Sequence, residues 1–542
     1  MARTIKWQAP QISSDSPQPT NTPLIKRAMM TQTKYLMWFR QDLRLFDNTA
    51  FYACCKAAHH DGSGVLAIVY ITPKQWQQHH KSLWQIDLIL RQLTELKSDL
   101  SKLNIGLIVR ISHDFKSQQQ DLLRICRDNN IRHLFANKEC LINELHRDDA
   151  IRNHGQNITL QTHWYDDGAI IPPKTIKTDK QQPYKVFTPF YKRWLKHLQN
   201  NPTNPHNAIL SSLVNTIDMA NTLSSDGADG LSISEYYQKY HRSKAVFNQQ
   251  LTQVVLLGEK LYPAGERAAQ QRLHDFLATD VLNYDVARDI PSLNSNQGAT
   301  SRLSPYLATG IISARTCHLK ALQAHANDAT QAHHRAIDCF ISELCWRDFY
   351  LDVISHRPDI VKGVAFLSTL DQAVKWRYDD TDFLAWCQGK TGVPLVDAAM
   401  RSLNTTGFLH NRLRMVVAMY LTKNLLIDWR WGERYFMQHL ADGDFASNNG
   451  GWQWSASIGT DAQPYFRVMN PFSQAATHDS EASFIKCWVD ELKFVPTAII
   501  NDEVKLQKYL AQNPSIKYPK LSMPTKNMRA SAIEMFKHAK QQ

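Results

Sequence analysis

Five short apolar runs, rich in β-branched and aromatic residues, alternate with stretches of helical periodicity in the first third of the chain. This alternation constrains the fold more than any other feature. The runs cover residues 35–39, 65–71, 106–111, 131–136 and 158–164. Strands that alternate with helices form a parallel sheet. We therefore predict an α/β domain with a doubly wound parallel sheet over residues 34–165. No GxGxxG motif follows the first run, so a nicotinamide-binding domain has no support.

The sequence changes character twice after this domain. Residues 166–245 contain the clusters PPK, NPTNP and SSDGADG, which are typical of a long connection, and we predict an interdomain linker there. Amphipathic segments such as LRMVVAMYLTKNLLI then predict a larger all-helical domain over residues 246–525, followed by a short tail over 526–542. Residues 1–33 are rich in Gln, Pro, Ser and Thr, which predicts a disordered extension.

Composition limits the compartment and the partners. The formal charge of +12 suits a polyanionic partner but does not identify one. Nine cysteines without CxxC or other metal-ligand spacing indicate reduced thiols and no metal site. No apolar run reaches membrane-spanning length. We expect a cytoplasmic protein, in the bacterial cytosol or associated with the nucleoid, while the acid-poor leader leaves an organellar transit peptide open.

Four motifs in the second half carry the functional information. They are TSRLSPYLATG from residue 300, ISELCWRDFY from 341, GKTGVPLVDAAMRSLNTTGFLHNRLRM from 389 and WRWGERYFMQHLADGDFASNNGGWQW from 429. Helical spacing puts Glu343, Trp346 and Arg347 on one face, and pairs Asn411 with Met415. By themselves these patterns fit buried polar clusters and core tryptophans as well as a ligand site.

In this order, and together with WFRQDLRLFDN at residues 38–48, the motifs closely resemble the photolyase and cryptochrome family. The resemblance runs from about residue 34 to about 523 and is greatest to class I cyclobutane pyrimidine dimer photolyases. It implies a U-shaped FAD in the helical domain, an antenna chromophore in the α/β domain, UV-damaged DNA as the partner, and a monomer. It also implies light-dependent repair, in which excited FADH⁻ lends an electron to a flipped-out dimer, the ring opens and the electron returns.

The resemblance assigns the flavin contacts to one set of residues. They are Tyr284, Thr300, Ser301, Arg302, Leu303, Ser304, Arg414, Asp442, Asp444 and Asn448. The hydroxyl-rich segment 300–304 suits a pyrophosphate, although alone it fits a helix N-cap as well. Asn448 matches the residue that faces flavin N5, where an amide adds no charge to oppose the anionic reduced flavin. Trp376, Trp429 and Trp452 match the family's chain of tryptophans between the surface and the flavin.

The resemblance also assigns a DNA-binding set. It comprises Arg288, Glu343, Trp346, Arg347, Asn411, Arg412, Met415 and Trp454. Trp346 and Trp454 are expected to pack against the damaged bases, and Glu343 and Asn411 to hydrogen-bond their polar edges. Met415 favours the cyclobutane dimer, since enzymes that repair (6-4) photoproducts typically have histidine in this motif. A (6-4) photolyase, a cryptochrome-type light sensor and a flavin-free nucleic-acid-binding protein stay as alternatives.

The antenna site implied by the resemblance lies mainly in the α/β domain. His79, Asn143, Glu144 and Lys362 match positions that hold 5,10-methenyltetrahydrofolate in similar proteins. A deazaflavin, another antenna or an empty site stay open.

Overall fold

The computed structural model describes residues 33–202, 213–225, 227–240, 245–295, 299–328 and 330–541. The predicted disordered extension therefore lies almost wholly outside the described residues. Five strands form one sheet, and each overlaps a predicted run, although the fourth and fifth strands each extend one residue beyond it. They are β1 (Tyr35–Trp38), β2 (Val65–Ile71), β3 (Gly106–Ile111), β4 (His133–Asn137) and β5 (Gln161–Tyr165).

The sheet is parallel, with strand order β3-β2-β1-β4-β5. The order reverses direction at β1, as in a doubly wound sheet. Successive side chains enter opposite layers: Met37 packs in one buried cluster, while Leu36 and Trp38 pack in another. The predicted α/β fold with a doubly wound parallel sheet is confirmed.

Helices cover both faces of this sheet. One layer includes α1 and α3, and the opposite layer includes α4 and α5. The helices of this part are α1 (Thr49–His60), α2 (Pro73–Gln78), α3 (Leu83–Ser101), α4 (Phe115–Asp128) and α5 (Ile142–Gly155).

The segment predicted as an irregular linker contains helices α6 (Phe187–Asn200), α7 (Ile217–Leu223) and α8 (Ile233–Tyr240). Just before α7, the Thr216 hydroxyl oxygen accepts a hydrogen bond from Gly106 N at 2.8 Å, at the outer edge of β3. The connection thus covers an edge strand that would otherwise expose unpaired backbone groups. The clusters rich in Pro and Gly lie before or between these helices, so their presence did not rule out helical structure in the segment.

The rest of the chain is mostly helical, and no helix among the described residues is long and apolar enough to cross a bilayer. Its last helix contains most of the residues predicted as a tail, because Met528, Ala532 and Phe536 recur at helical spacing and are buried. The helices are α9 (Ala245–Leu261), α10 (Glu266–Ala278), α11 (Tyr284–Ala287), α12 (Pro291–Ser295), α13 (Ser304–Thr309), α14 (Ala314–Asn327), α15 (Gln331–His356), α16 (Ser368–Ala373), α17 (Asp380–Cys387), α18 (Pro394–Thr406), α19 (Asn411–Met419), α20 (Trp429–His439), α21 (Phe445–Ser455), α22 (Pro471–His478), α23 (Ser483–Trp488), α24 (Thr497–Ile500), α25 (Glu503–Gln512) and α26 (Thr525–Ala539).

Candidate active site

The turn between α20 and α21 holds two aspartates with different tasks. Asp442 accepts two hydrogen bonds from Arg414 Nη2, at 3.0 and 2.7 Å. Arg414 Nε donates to Leu409 O at 2.8 Å, which fixes the guanidinium. Asp444 instead caps α21, since its carboxylate accepts from Ser447 N at 2.9 Å. Arg414 and Asp442 therefore form an ion pair, while the flavin contacts of these residues stay predictions.

The phosphate-binding candidate lies beside this ion pair. The Arg302 guanidinium packs 4.8 Å from the centre of the Phe408 ring, and the backbone of Arg302 is left-handed, with φ of 49°. Burial and the nearby Asp442 raise the pKa of Tyr262 well above its usual value, whereas the charges of Arg302 and Arg414 oppose the shift. Segment 300–304 and the arginine–aspartate pair therefore belong to one region around Tyr262.

These residues fit the FAD that the resemblance implies. Thr300, Ser301 and Ser304 supply hydroxyl groups beside the Arg302 cation, a donor set suited to a pyrophosphate. Leu303 is buried at the base of this segment. Within the described part of the chain, the buried indole Nε1 of Trp452 has no hydrogen-bond partner, so a polar donor is left for a ligand.

Asn448 is oriented by a residue that the sequence reasoning missed. Its side-chain Nδ2 donates to the Glu433 carbonyl oxygen at 2.9 Å and to Glu433 Oε1 at 3.3 Å. These bonds turn the amide oxygen away from Glu433. Burial raises the pKa of Glu433 to about 7. Glu433 lies one helical turn after Trp429, and that i, i+4 spacing was a signal that could have found it.

The lesion-pocket candidates lie on α15, α19 and α21. The Trp346 ring stacks on Phe187, with centroids 3.7 Å apart and planes 6° apart, and also contacts Tyr350 at 5.5 Å. The ring of Tyr350 in turn packs tightly against the Gly450 backbone of α21, one turn before Trp454. Trp346 and Trp454 both remain partly exposed. The packing of α15 on α21 thus connects two residues that are distant in sequence.

Two arginines of the predicted DNA-binding set are engaged by carboxylates. Arg288 Nη1 lies 2.6 Å from Glu343 Oε1, and Arg412 Nη2 lies 2.5 Å from Asp289 Oδ2. These pairs connect the middle of α15, at Glu343, to the start of α19, where Asn411 is exposed and Met415 follows one turn later. Tyr284, at the start of α11, lies under the Arg288 guanidinium at 5.2 Å.

Arg347 lies elsewhere. Its guanidinium donates to Gly168 O and lines a cleft between the α/β part and the helical part. Helical spacing alone had grouped Arg347 with Glu343 and Trp346. The side chain points toward the cleft because residues 168–171 pack across this part of α15.

The three tryptophans of the predicted relay differ in exposure. Trp429 is fully buried, Trp452 is 2% exposed and Trp376 is partly exposed. The indole N–H groups of Trp376 and Trp429 both donate to Asp371, which the sequence reasoning did not single out. Trp452 packs against Phe436, with ring centroids 4.9 Å apart.

The cleft encloses a cavity of about 760 Å³, and all four predicted antenna residues line it: His79, Asn143, Glu144 and Lys362. His79 Nδ1 lies 3.9 Å from Glu144 Oε1. Burial and the neighbouring Glu139 raise the pKa of Glu144 to about 7. In the described ranges, Glu144 Oε2 and Arg40 Nη2 are buried without hydrogen-bond partners, so the wall retains polar groups for a ligand.

Comparisons with known proteins cover the same two parts. Residues 35–207 match the family model for DNA photolyase, and residues 340–538 match the family model for the FAD binding domain of DNA photolyase. The chain is 36% identical over 510 residues to the deoxyribodipyrimidine photo-lyase of Escherichia coli (strain K12), covering 94% of this chain and 99% of that relative.

Solved structures share the architecture. A bacterial class III photolyase from Agrobacterium tumefaciens matches with a TM-score of 0.76 and 27% identity, over 95% of this chain and 100% of that one. An archaeal photolyase from Sulfolobus tokodaii, described with two FAD molecules and a novel light-harvesting cofactor, matches with a TM-score of 0.71 and 28% identity, over 93% of this chain and 99% of that one. Since both halves and nearly the full length agree, the chain belongs to the DNA photolyase family.

Proposed function

We propose that this protein is a light-dependent deoxyribodipyrimidine photo-lyase that splits cyclobutane pyrimidine dimers in UV-damaged DNA. The observation that carries the proposal is the set of contacts that links predicted DNA-binding residues on α15, α19 and α21. Partly exposed Trp346 packs through Tyr350 against the helix of Trp454, and Glu343 is joined through Arg288 and Asp289 to the helix of Asn411 and Met415. The indoles of Trp346 and Trp454 can pack against two adjacent bases, while the carboxyl of Glu343 and the amide of Asn411 can form hydrogen bonds with them.

FAD, when bound, supplies the light-driven electron transfer. The chain's own groups hold and tune it. Segment 300–304 would hold the phosphates of FAD, and the ion pair of Arg414 and Asp442 would bind its hydroxyl groups. Asn448 would present an uncharged amide to the flavin, and Glu433 orients that amide. Glu343 is held by Arg288, so its carboxylate is positioned to accept a hydrogen bond from an N–H group of a base. Trp346 and Trp454 exclude water from the lesion.

The decisive experiment is repair of an oligonucleotide that carries one defined cyclobutane dimer. Purified protein with stoichiometric reduced flavin should restore the intact bases in light and not in darkness. A matched oligonucleotide with a (6-4) lesion should remain unrepaired. Intact cyclobutane dimers after illumination of the loaded protein would refute the proposal, and repair of the (6-4) lesion alone would establish the alternative. The class I assignment, the monomeric state and the cytoplasmic location stay predictions.

The tryptophans form the second part of the proposal: Trp376, Trp429 and Trp452 conduct electrons inward from the surface. Replacing Trp376 by Phe should remove the long-lived tryptophan radical seen by transient absorption after illumination of the oxidised protein, because phenylalanine is much harder to oxidise. Trp164→Phe, in β5, is the matched control and should leave the radical signal intact. An unchanged signal in Trp376→Phe would reject the relay.

The cleft is proposed as the antenna site, with 5,10-methenyltetrahydrofolate as the first candidate. Its support is that His79, Asn143, Glu144 and Lys362 all line the same cavity. A second flavin, as described for the archaeal relative, is the alternative. Absorbance and mass of the chromophore released from purified protein distinguish a folate from a flavin.

A further inference from the structure

One carboxylate joins the two outer tryptophans. Trp376 Nε1 donates to Asp371 Oδ1 at 3.0 Å, and Trp429 Nε1 donates to the same oxygen at 3.2 Å. The other oxygen, Oδ2, accepts from Arg430 Nη2 at 2.5 Å. Asp371 lies on α16 and is only 7% exposed, so these three donors satisfy a carboxylate that has little access to water.

Backbone pairing sets this geometry. Arg377 N donates to Leu426 O at 2.7 Å, and Asp428 N donates to Arg377 O at 3.3 Å. The residue after Trp376 is therefore paired with the strand-like segment that leads into α20, whose first residue is Trp429. The two indoles meet at Asp371 because their backbones are held side by side.

The charges around the two rings are unequal. The Arg430 guanidinium lies 4.6 Å from the centre of the Trp429 ring, where it opposes positive charge on that ring. In the described part of the chain, no cation lies over the Trp376 ring. Arg430 is also shared between Asp371 and Asp428, so the cluster has two carboxylates for one guanidinium. A positive charge is therefore more stable on Trp376 than on Trp429.

We infer that Asp371 is the proton acceptor for Trp376 during photoreduction, an inference that rests on the tryptophan relay proposed above. When Trp376 has given up an electron to the relay, its indole N–H becomes acidic. The N–H bond breaks and an O–H bond forms at Asp371 Oδ1. A neutral indolyl radical and a neutral carboxylic acid result, and Arg430 keeps its charge. Return of the electron to Trp376 then also requires return of the proton from Asp371. The state in which the electron has left Trp376 therefore lives longer.

The test compares two carboxylate variants that share Arg430. Asp371→Asn keeps an oxygen acceptor for both indoles but removes the base, and it should slow proton loss from the Trp376 radical by about 100-fold, the usual effect of removing a positioned base. Asp428→Asn removes the same charge beside the same arginine. It should not change the rate, because Asp428 bonds the Arg430 and Tyr378 side chains and is not the carboxylate of the indoles.

Transient absorption follows the change from tryptophan cation radical to neutral radical. Light-minus-dark infrared spectra should show a protonated carboxylic acid that is absent in Asp371→Asn and present in Asp428→Asn. Equal rates of proton loss and the same infrared band in wild type and Asp371→Asn would overturn the inference. Absence of any tryptophan radical in the wild type would instead overturn the relay itself.

The wild type provides a test that does not depend on the folding of a variant. If Asp371 takes the proton, the rate of proton loss should be independent of the concentration of buffer base, because the acceptor is built in. A rate that rises in proportion to buffer base would assign the proton to solvent and reject Asp371.

Discussion

Glu433 shows how a single partly buried residue can set the electrostatics of a site. Its carboxyl accepts the Asn448 amide, and burial raises its pKa to about 7. Near neutral pH the group is therefore protonated in a large fraction of molecules. A neutral Glu433 orients Asn448 without placing a full negative charge beside it.

A raised pKa in the folded state makes stability depend on pH in a defined direction. Glu433 binds its proton more tightly in the folded than in the unfolded protein, so its contribution is present below the unfolded pKa of about 4.5 and is lost as pH rises through about 7. The loss amounts to about 3 kcal/mol. Glu433→Gln should remove this part of the pH dependence of the unfolding free energy, measured by denaturant titration from pH 4.5 to 7.5. Glu534→Gln, at a site 76% exposed, is the control and should follow the wild type. A Glu433→Gln curve parallel to that of the wild type would contradict the assignment.

At the scale of helices, α20 and α21 pack through a glycine. A Cβ atom on Gly432 would lie 2.1 Å from Trp452 Cη2 and 2.6 Å from Leu421 Cδ2. The absence of a side chain at Gly432 is therefore what admits Trp452, the inner tryptophan of the proposed relay, between the helices. At Gly451, on α21, an added Cβ would meet no other side chain or neighbouring element within 4 Å.

These two glycines give a matched prediction. Alanine is favoured over glycine in a helix by about 1 kcal/mol, but overpacking at Gly432 costs about 1–3 kcal/mol and displaces Trp452. Gly432→Ala should therefore lower the thermal midpoint and reduce the yield of tryptophan radical. Gly451→Ala should hold or raise the midpoint of the flavin-free protein. A Gly432→Ala protein as stable as wild type, with an unchanged radical yield, would show that the helices can separate at little cost.

At the scale of the whole molecule, a buried ion cluster joins the α/β part to the helical part. Arg315, on α14, bonds Asp47 and Asp167, and Arg44 also pairs with Asp167. All four side chains are at most 8% exposed. Despite burial, the two arginines hold the pKa of Asp167 well below its usual range.

Removal of one member should leave buried charge without compensation. Asp167→Ala should lower the unfolding free energy by about 3–5 kcal/mol. Asp128→Ala, at an exposed ion pair, should change it by less than about 0.5 kcal/mol. Because the folded pKa of Asp167 is depressed, its contribution is present above the usual aspartate pKa and is lost as pH falls below it. Denaturant unfolding at pH 7 and in acid measures both effects; equal stability of Asp167→Ala and Asp128→Ala at pH 7 would exclude a role for the cluster.

Local periodicity was enough to predict the fold class. The apolar runs at β1 to β5 predict strands, and the amphipathic segments beyond residue 246 predict helices. Both patterns can be read from a few neighbouring residues, because side chains on one face recur every 2 residues in a strand and every 3.6 residues in a helix. The motifs likewise predicted family membership, which the comparisons confirm. Helix α26 was not predicted, because the sequence of an amphipathic segment does not reveal which part of the protein it packs against.

The sequence by itself determined the alternation of strands and helices in the α/β part, the helical character of the rest, the family and the chemical types of the candidate site residues. Tertiary structure alone decided their partners: Glu343 with Arg288, Asn448 with Glu433, Trp376 and Trp429 with Asp371. Two of these sets join positions 55 and 58 residues apart, a separation at which no local spacing rule operates. The pKa of Glu433 depends in the same way on burial, which exists only once distant helices have packed.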